Sequence, residues 1–482
     1  MIVLDTEAAD PLYMQIYRQL KEQILSGRLP EGSKLPSTRG LAGALHVSRN
    51  TVESAYAQLF SEGYVAGRRG SGFVVEATEA YDFAGKEPVA APPPPDAGAH
   101  RLPPNSGFAE EGLGGQLPVP VSVDFRYGAL DPAYFPMRQW RRLTAKCLAE
   151  ADGDIMVEYS DGKGDPGLRT EIMRHIAKTR GVVCEPGQIM VSAGIHHSLS
   201  LLCQLFREHI SGIGMEDPGF IWANQILANH GCTVRPIGLD KDGIRLDEVE
   251  ESGVNAVYVT PSHQFPMGAV MPIQRRLQLL QWAKRRDGII IEDDYDSELR
   301  YNSKPIPSIQ SIDTAGSVVY IGTFSKSLSP SLRVNYMVLP RRWMDVYDRR
   351  FSWYQSPAAL LQQHTLRAFL AEGHWDRHLR MVTHAGKRKH DLLLRSLQDT
   401  LGSRFLVHGK NAGLHIVLES AAGHTEGELV RTAAKQGVNV WPLSAFWSRR
   451  EHYSGNMVLL GFGGVDEAAI EDGVLRLGRA WL

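Results

Sequence analysis

The chain has 482 residues, a formal net charge of −2 and a hydrophobic content of 43%. This length exceeds what a single hydrophobic core holds, so two or more domains are expected. The composition is that of a folded protein, and no apolar run approaches the ~18 residues that span a bilayer, so no membrane-spanning segment is expected. Because the net charge is close to zero, any nucleic-acid-binding surface has to be local.

The cysteines and the first residues bear on metal binding and compartment. Cys147, Cys184, Cys203 and Cys232 are widely spaced and form no Cys-x-x-Cys pair. This spacing argues against a zinc site and a disulfide framework, so no metal site is expected and a reducing compartment is favoured. The start of the chain becomes acidic at Asp5 and does not resemble a signal peptide. These features predict a cytoplasmic protein that does not associate with a membrane.

Composition divides the chain into three parts. Residues 1–76 are dense in periodic apolar patterns, whereas residues 77–123 are rich in proline, glycine and alanine. A segment of the second kind buries no core and predicts a semi-rigid linker. From residue 124 to residue 482, strand-like apolar runs alternate with amphipathic stretches. That alternation predicts an α/β domain with a mainly parallel sheet.

The first part predicts a helix-turn-helix. Residues 11–25 carry apolar side chains at helical spacing, and Ser37 is a candidate N-cap for a second helix. After a short turn at residues 46–47, Ser48 is the candidate N-cap of a third helix. Two helices joined by so short a turn fit the geometry of a helix-turn-helix.

The residues expected to contact DNA begin the third helix and form the tip of a following hairpin. A recognition helix reaches base edges with its first residues. Residues 63–75 predict a hairpin wing, whose tip carries two arginines beside glycines that let the backbone approach phosphate. On the motif alone, a small helical domain with solvated arginines stays open as an alternative. The candidate DNA-binding residues from the pattern are Ser37, Ser48, Arg49, Asn50, Thr51, Arg68, Arg69 and Gly70.

Three stretches of this part resemble the GntR-type winged helix: LPSTR at 35–39, VSRNTV at 47–52 and LFSEGY at 59–64. The resemblance covers nearly all of residues 11–75. It implies DNA contacts at Arg39, at Arg49 and at the wing pair Arg69 and Gly70. The sequence departs from the pattern at Glu53, where some relatives carry a basic residue.

The large domain contains the groups that a pyridoxal phosphate (PLP) site needs. These are a lysine for the covalent bond, a carboxylate for the ring nitrogen, a phosphate-binding cup and an aromatic cover for the ring. Lys326 follows the apolar run 317–323, and Asp293 follows the apolar run 289–291. Ligands bind at the carboxyl ends of strands in open α/β sheets, so both side chains are expected at one such edge.

Other residues supply the remaining parts of the predicted cofactor site. Hydroxyls and an arginine near Lys326 suit a phosphate, and a glycine turn into a helix at residues 194–195 offers backbone amides. Each residue alone has a simpler explanation, such as a solvated lysine, a helix cap or a core phenylalanine, whereas the ordered set is more specific. The candidates are Thr323, Ser325 and Arg333 with Gly194 and Ile195 for the phosphate, Tyr295 for the ring hydroxyl and Phe220 for ring stacking.

Four stretches of the large domain resemble fold-type I aminotransferases: TPSHQFPMG at 260–268, IEDDYDSE at 291–298, GTFSKSL at 322–328 and NAGLH at 411–415. Behind a winged helix and a proline-rich linker, they resemble the MocR/GabR subfamily of GntR-type bacterial regulators. The match covers essentially the whole chain. The expected architecture is therefore a winged helix-turn-helix followed by an aminotransferase-like α/β domain.

The resemblance implies roles for the site residues and for partners. Lys326 would hold PLP as an internal aldimine, Asp293 would pair with the pyridine nitrogen, and His263 or Gln264 would lie beside the ring. The expected assembly is a head-to-tail homodimer in which each DNA-binding domain crosses to its partner. The expected partners are an operator DNA near a promoter and a small-molecule effector.

The sequence departs from the subfamily where its relatives bind a substrate carboxylate. Gly464 and Trp222 stand at the positions where relatives place arginines, and glycine cannot replace a bidentate carboxylate clamp. Ordinary α-amino acids are therefore expected to be poor effectors unless Arg380 or Arg388 supplies the clamp. The effector is left open among PLP itself, an amine, a D-amino acid and a small peptide.

Two alternatives to a PLP-dependent regulator are an active aminotransferase and a bifunctional regulator with a slow half-reaction.

Overall fold

The computed structural model describes residues 2, 4–5, 11–61, 64–68, 72–75, 120–150, 157, 159–301 and 307–482. The chain divides into two compact units, with the boundary between Arg101 and Leu102. Most of the predicted linker, residues 77–119, lies outside the described residues. The domain limits at 76 and 123 therefore stay predictions.

The first unit is a winged helix-turn-helix. Its core consists of apolar side chains from all of its helices and both strands, including the fully buried Ile16, Val52 and Leu59. The two strands pair antiparallel and form the wing. The elements are α1 (Leu12–Leu25), α2 (Thr38–Leu45), α3 (Arg49–Ser61), β1 (Val65–Arg68) and β2 (Gly72–Val75).

Serine side chains cap the first turns of α2 and α3. Ser37 Oγ accepts a hydrogen bond from the Gly40 amide at 3.0 Å, and Ser48 Oγ accepts one from the Thr51 amide at 3.1 Å. Each bond satisfies an amide that has no acceptor within its own helix. His46 ends α2 in the left-handed conformation with φ 53°. The two serine caps predicted from the sequence thus begin the two helices.

The second unit is an α/β domain that contains a large sheet and a smaller one. Its helices are α4 (Met137–Glu150), α5 (Pro166–Arg180), α6 (Ile195–Leu205), α7 (Ile221–Asn229), α8 (Leu246–Glu251), α9 (Ile273–Arg286), α10 (Arg341–Phe351), α11 (Leu360–Ala371), α12 (His374–Leu401), α13 (Glu426–Lys435) and α14 (Glu467–Trp481). Its strands are β3 (Val123–Asp124), β4 (Ile189–Ser192), β5 (Ile213–Asp217), β6 (Val234–Asp240), β7 (Gly243–Ile244), β8 (Ala256–Val259), β9 (Ile289–Asp294), β10 (Val318–Thr323), β11 (Asn335–Val338), β12 (Phe405–His408), β13 (His415–Ser420), β14 (Val438–Asn439), β15 (Trp441–Pro442) and β16 (Met457–Gly461).

The large sheet has the strand order β4-β11-β10-β9-β8-β5-β6-β7. The central neighbours β10, β9, β8, β5 and β6 pair parallel, whereas β11 runs antiparallel to both of its neighbours. Along β9, Ile289 and Ile291 pack into one buried cluster and Ile290 packs into another. Both faces of the sheet are therefore covered at β9, which explains why its sequence is a continuous apolar run. The predicted mainly parallel sheet is confirmed.

The smaller sheet has the order β12-β13-β16-β15 with antiparallel pairing. Helices α12, α13 and α14 contribute Leu393, Leu429 and Val474 to the cluster that buries one face of this sheet. None of the helices built from the described residues combines the length and apolarity that crossing a membrane requires.

Candidate cofactor and DNA-binding sites

Lys326 and Asp293 lie together at the carboxyl edge of the large sheet. Strands β9 and β10 are parallel neighbours, with Asp293 paired opposite Ile321, and Lys326 follows the end of β10. Both residues line one cavity of about 210 Å³. The structure thus brings together the two groups that the sequence placed at the ends of neighbouring strands.

The Lys326 amine lies against the face of an aromatic ring. Its Nζ lies 4.0 Å from the centroid of the Tyr127 ring. Burial lowers the pKa of Lys326 to about 8, although Asp296 and Asp293 act to raise it. A lysine of this kind is neutral, and therefore nucleophilic, in a larger fraction of molecules near neutral pH than a solvated lysine.

Asp293 is the carboxylate at the floor of the cavity. It is only 6% exposed, and the Tyr258 hydroxyl donates a hydrogen bond to its Oδ2. Burial raises the pKa of Asp293 to about 7, against the effect of that hydrogen bond. A cationic group bound beside it would stabilise the charged carboxylate. This is the environment that a protonated pyridine nitrogen requires.

The phosphate end of the cavity is built around Gly194. A Cβ at this position would lie 2.3 Å from Arg333 Nη2, and the backbone has φ 90°, so only glycine fits beside the guanidinium. The Gly194 amide itself donates to Asn335 Oδ1 at 2.8 Å. The next amides, of Ile195 and His196, begin α6 and have no acceptor within the helix. An anion placed there gains these amides and the guanidinium.

Two hydroxyls from the end of β10 line the same cavity. Thr323 Oγ1 accepts a hydrogen bond from the Ser325 amide at 3.1 Å, which leaves the Thr323 hydroxyl hydrogen to donate. The donor set of amides, hydroxyls and one arginine suits a phosphate dianion. Together with the amine and the buried carboxyl, these residues fit PLP.

Aromatic and imidazole groups surround the position of the ring. Phe220 lines the cavity and meets Phe265 edge-on, with ring centroids 5.8 Å apart. The Tyr295 hydroxyl also reaches this cavity and donates to the His263 carbonyl at 2.9 Å. His263 Nδ1 in turn contacts Asp296 Oδ2 at 2.8 Å. His263 therefore positions Tyr295 from behind.

Gln264 has a different place from its neighbour His263. Its side-chain amide donates to the Pro218 carbonyl at 2.9 Å, and its Oε1 accepts from the Met267 amide at 3.1 Å. These bonds hold the loop that follows β8, and Gln264 is not among the residues that line the cavity. His263 does not line the cavity either, so the contact of His263 or Gln264 with the ring stays a prediction.

Several cavity residues were not identified from the sequence. Two of them were within reach of the sequence argument, because His196 follows the glycine turn at 194–195 and Thr260 follows β8. Tyr127, in contrast, precedes Lys326 by almost two hundred positions. The fold also brings one ligand-type atom each of His263, Asp296 and His415 within 4.8 Å of one another in a buried group. The cavity residues missed are Tyr127, His196, Thr260, Phe265, Ile321, Pro330 and Asn335.

The two positions of the absent carboxylate clamp are filled by packing. A Cβ at Gly464 would lie 2.6 Å from the Ala129 Cβ, so no larger side chain fits in this backbone arrangement. The Trp222 ring packs between Phe220 and Phe446, with centroid distances of 5.2 and 5.9 Å. The other two candidates, Arg380 and Arg388, are both exposed, and Arg388 Nε donates to Glu467 Oε1 at 3.0 Å.

The predicted DNA-reading residues lie on one exposed helix start. Arg49 and Asn50 are exposed, and Thr51 is half-buried. Arg49 Nε donates to Glu53 Oε1 at 2.7 Å across one helical turn. Exposed pairs of this kind contribute little, so Glu53 orients Arg49 without holding it away from DNA.

The other predicted DNA contacts are less completely described. Arg39 is exposed near the start of α2. Arg68 ends β1, but its side chain, like all of Arg69 and Gly70, lies outside the described residues.

Comparisons with known proteins agree with both units. The family profile "Bacterial regulatory proteins, gntR family" matches residues 12–75, and the profile "Aminotransferase class I and II" matches residues 127–453. The HTH-type transcriptional regulator YdeL of Bacillus subtilis is 38% identical over 98% of this chain and 97% of its own length. This chain belongs to the GntR family, among the regulators that carry an aminotransferase-like domain.

Two other relatives have names that state what they regulate. The probable rhizopine catabolism regulatory protein MocR of Rhizobium meliloti is 32% identical over 100% of this chain and 96% of its own length. The pyridoxine biosynthesis regulator PdxR of Corynebacterium glutamicum is 30% identical over 97% of this chain and 95% of its own length. Among solved structures, a multiple substrate aminotransferase from Thermococcus profundus aligns with TM-score 0.67 and 26% identity, over 74% of this chain and 90% of that chain. The regulator therefore combines a DNA-binding domain with an aminotransferase fold whose family depends on PLP.

Proposed function

We propose that the regulator binds PLP covalently at Lys326 and that a small amine-bearing effector, or PLP itself, acts through this site to change operator binding. The observation that carries the proposal is the single cavity that contains the Lys326 amine, the buried Asp293 and the Arg333 guanidinium. PLP would supply an electrophilic carbon that reacts with primary amines, with the ring acting as an electron sink.

The roles proposed for the residues follow from their contacts. Asp293, which burial holds partly protonated, would share a proton with the ring nitrogen. Thr323, Ser325 and Arg333, with the first amides of α6, would hold the phosphate. Phe220 would cover one ring face and exclude water, and the Tyr295 hydroxyl, which donates to the His263 carbonyl, would accept a hydrogen bond from the ring hydroxyl. We further propose a head-to-tail homodimer that acts in the cytoplasm, where the operator DNA is; the family resemblance supports this.

The direct test measures operator binding and cofactor loading in the same protein. A labelled fragment of the DNA upstream of the regulator's own gene should bind with an affinity that differs between PLP-loaded and PLP-free protein. If the two forms bind equally and no added amine changes the affinity, the proposed sensing is wrong. Steady keto-acid-dependent turnover of an amino acid would instead favour the aminotransferase alternative.

The lowered pKa of Lys326 predicts how cofactor loading depends on pH. Below pH 8 the amine is mostly protonated and cannot attack, because its pKa is about 8. The rate at which PLP-free protein gains absorbance near ~420 nm should rise with pH up to about 8 and then level off. A rate that keeps rising towards the pKa of an ordinary lysine, about 10.4, would contradict the buried environment.

Arg49 is predicted to read a base edge of the operator. Arg49→Ala should weaken operator binding by about 1–3 kcal/mol and blur the preference at one position of each half-site. Arg28→Ala is the matched control, because Arg28 is an exposed, ion-paired arginine in the same unit, outside α2 and α3. Fluorescence anisotropy on operator variants measures both effects. If Arg49→Ala binds like the control, α3 is not the reading helix.

A further inference from the structure

A second, smaller cavity of about 40 Å³ also has Lys326 in its lining. Ser327 and Leu328 line it, and α12 contributes His378 and Lys389. Lys326 lines both this cavity and the cofactor cavity. For a small amine that reacts at Lys326, this cavity is therefore an adjacent space that its other end could occupy.

The second cavity contains two buried polar atoms that nothing satisfies. Ser327 is 3% exposed and His378 is 4% exposed, yet Ser327 Oγ and His378 Nδ1 have no hydrogen-bond partner among the described residues. Buried polar groups are nearly always paired in native proteins. Two such atoms beside one cavity indicate that a polar ligand group completes the site.

The protonation of His378 determines which of these two atoms donates and which accepts a hydrogen bond. His378 Nε2 lies 2.6 Å from the Ser327 carbonyl, which can only accept, so Nε2 carries the hydrogen. Burial lowers the pKa of His378 and keeps the ring neutral. Its Nδ1 is then an acceptor, whereas the Ser327 hydroxyl can donate. The fitting ligand group both donates and accepts a hydrogen bond.

Lys389, one of the two lysines that line this cavity, does not alter that preference. Lys389 Nζ donates to Asp131 Oδ2 at 2.9 Å and to the Gly463 carbonyl at 3.3 Å. Burial acts to raise the pKa of Asp131, but the hydrogen bond from Lys389 lowers it. The Lys389–Asp131 pair therefore carries no net charge. A carboxylate would face the His378 Nδ1 lone pair, and Lys389 would not be available to hold it.

We propose that this cavity, with Ser327 and His378, is an effector subsite for the far end of a small primary amine that carries a carboxamide or hydroxyl rather than a carboxylate. The inference rests on the proposed function, since the amine has to react at the Lys326 site. Leu328 and Leu414 line the remainder and suit a short hydrocarbon spacer. The size of the cavity limits this end of the ligand to a few heavy atoms.

The test compares alaninamide with alanine on the PLP-loaded full-length protein. The two ligands share amine and side chain and differ only in carboxamide against carboxylate. Each ligand is titrated into the protein while the shift of the ~420 nm band and the operator affinity are measured. Ligand concentrations are expressed as the concentration of unprotonated amine. We expect half-saturation at a concentration at least ten times lower for alaninamide. Equal responses, or a stronger response to alanine, would overturn the subsite.

Variants tie the preference to the cavity. Ser327→Ala should raise the half-saturating alaninamide concentration about tenfold and leave the response to propylamine, which has no polar end, unchanged. Ser403→Ala is the control, because Ser403 is an exposed serine that does not line the cavity. His378→Ala removes the other unpaired polar atom of the cavity, His378 Nδ1. If both cavity variants respond to alaninamide like the control, the inference is wrong.

Different results would refute the proposed function and the effector subsite. Protein without a ~420 nm band, or whose band no amine changes, would refute the proposed function and the subsite with it. A band that responds to amines without preference for the carboxamide would refute the subsite alone. Circular dichroism and the band itself show that each variant is folded and loaded.

Discussion

Lys326→Ala is expected to abolish covalent PLP attachment completely while leaving the fold intact. The ~420 nm band should be absent, and borohydride should fix no PLP on the protein, because reduction traps only the lysine-linked form. In the wild-type protein, mass spectrometry of the reduced sample should find the label on Lys326. The substitution removes an amine that burial already makes costly to charge, so stability should not fall sharply.

Lys241→Ala is the matched control for this experiment, since Lys241 is an exposed lysine in the same unit. It should keep the band, the label and the response of operator binding. Operator affinity of Lys326→Ala should match that of PLP-free wild type and should not change when PLP is added. A label on any other lysine would show that the cofactor site has been assigned to the wrong residue.

Asp294→Asn is expected to lower the free energy of unfolding by about 3–5 kcal/mol, because it leaves a buried arginine without its counter-ion. Asp294 Oδ2 lies 2.6 Å from Arg180 Nε and accepts from the Tyr320 hydroxyl at 2.7 Å. Burial alone would raise its pKa, but Arg180 lowers it below the usual range. Asp294 therefore stabilises the fold above its ordinary pKa, and this contribution disappears as pH falls through the lowered value.

Asp293→Asn, at the neighbouring position, is a control for which the expected change in the free energy of unfolding has the opposite sign. The pKa of Asp293 is raised from 3.8 to about 7, so its ionised form destabilises the cofactor-free protein. The asparagine variant should be as stable as the PLP-free wild type or more stable, with a difference that grows from about pH 4 to about pH 7. Urea unfolding of PLP-free proteins at several pH values measures both variants. A loss at Asp294 below about 1 kcal/mol would contradict the buried ion pair.

The adjacent aspartates also show where sequence reasoning reaches its limit. Both belong to the same acidic stretch at the end of β9, and side chains alternate between the two faces of a strand. The pattern predicted an acid at the edge of the sheet. Only the packing shows that Asp293 faces Tyr258 and the cavity while Asp294 faces Arg180.

Much of the architecture could be predicted from the sequence. Helical periodicity and the serine caps predicted the helix-turn-helix, and continuous apolar runs predicted buried parallel strands. Lys326 and Gly194 follow strands and Asp293 lies near the end of one, and the ends of neighbouring parallel strands meet at one edge of the sheet whatever the intervening chain does. Local pattern therefore determined the family, the fold class and the central residues of the candidate site.

Tertiary structure alone decided which distant side chains complete that site. Tyr127 comes from the segment before α4, and His378 and Lys389 come from α12, yet each of them lines a cavity together with Lys326. Gln264, next to His263 in the sequence, instead forms hydrogen bonds that hold the loop after β8. Hydrogen bonding and burial depend on which segments pack together over long separations, and no local spacing encodes that. The sequence by itself determined that this is a GntR-family regulator with a lysine and an aspartate at the edge of an aminotransferase-like sheet; only the packed structure decided what surrounds them.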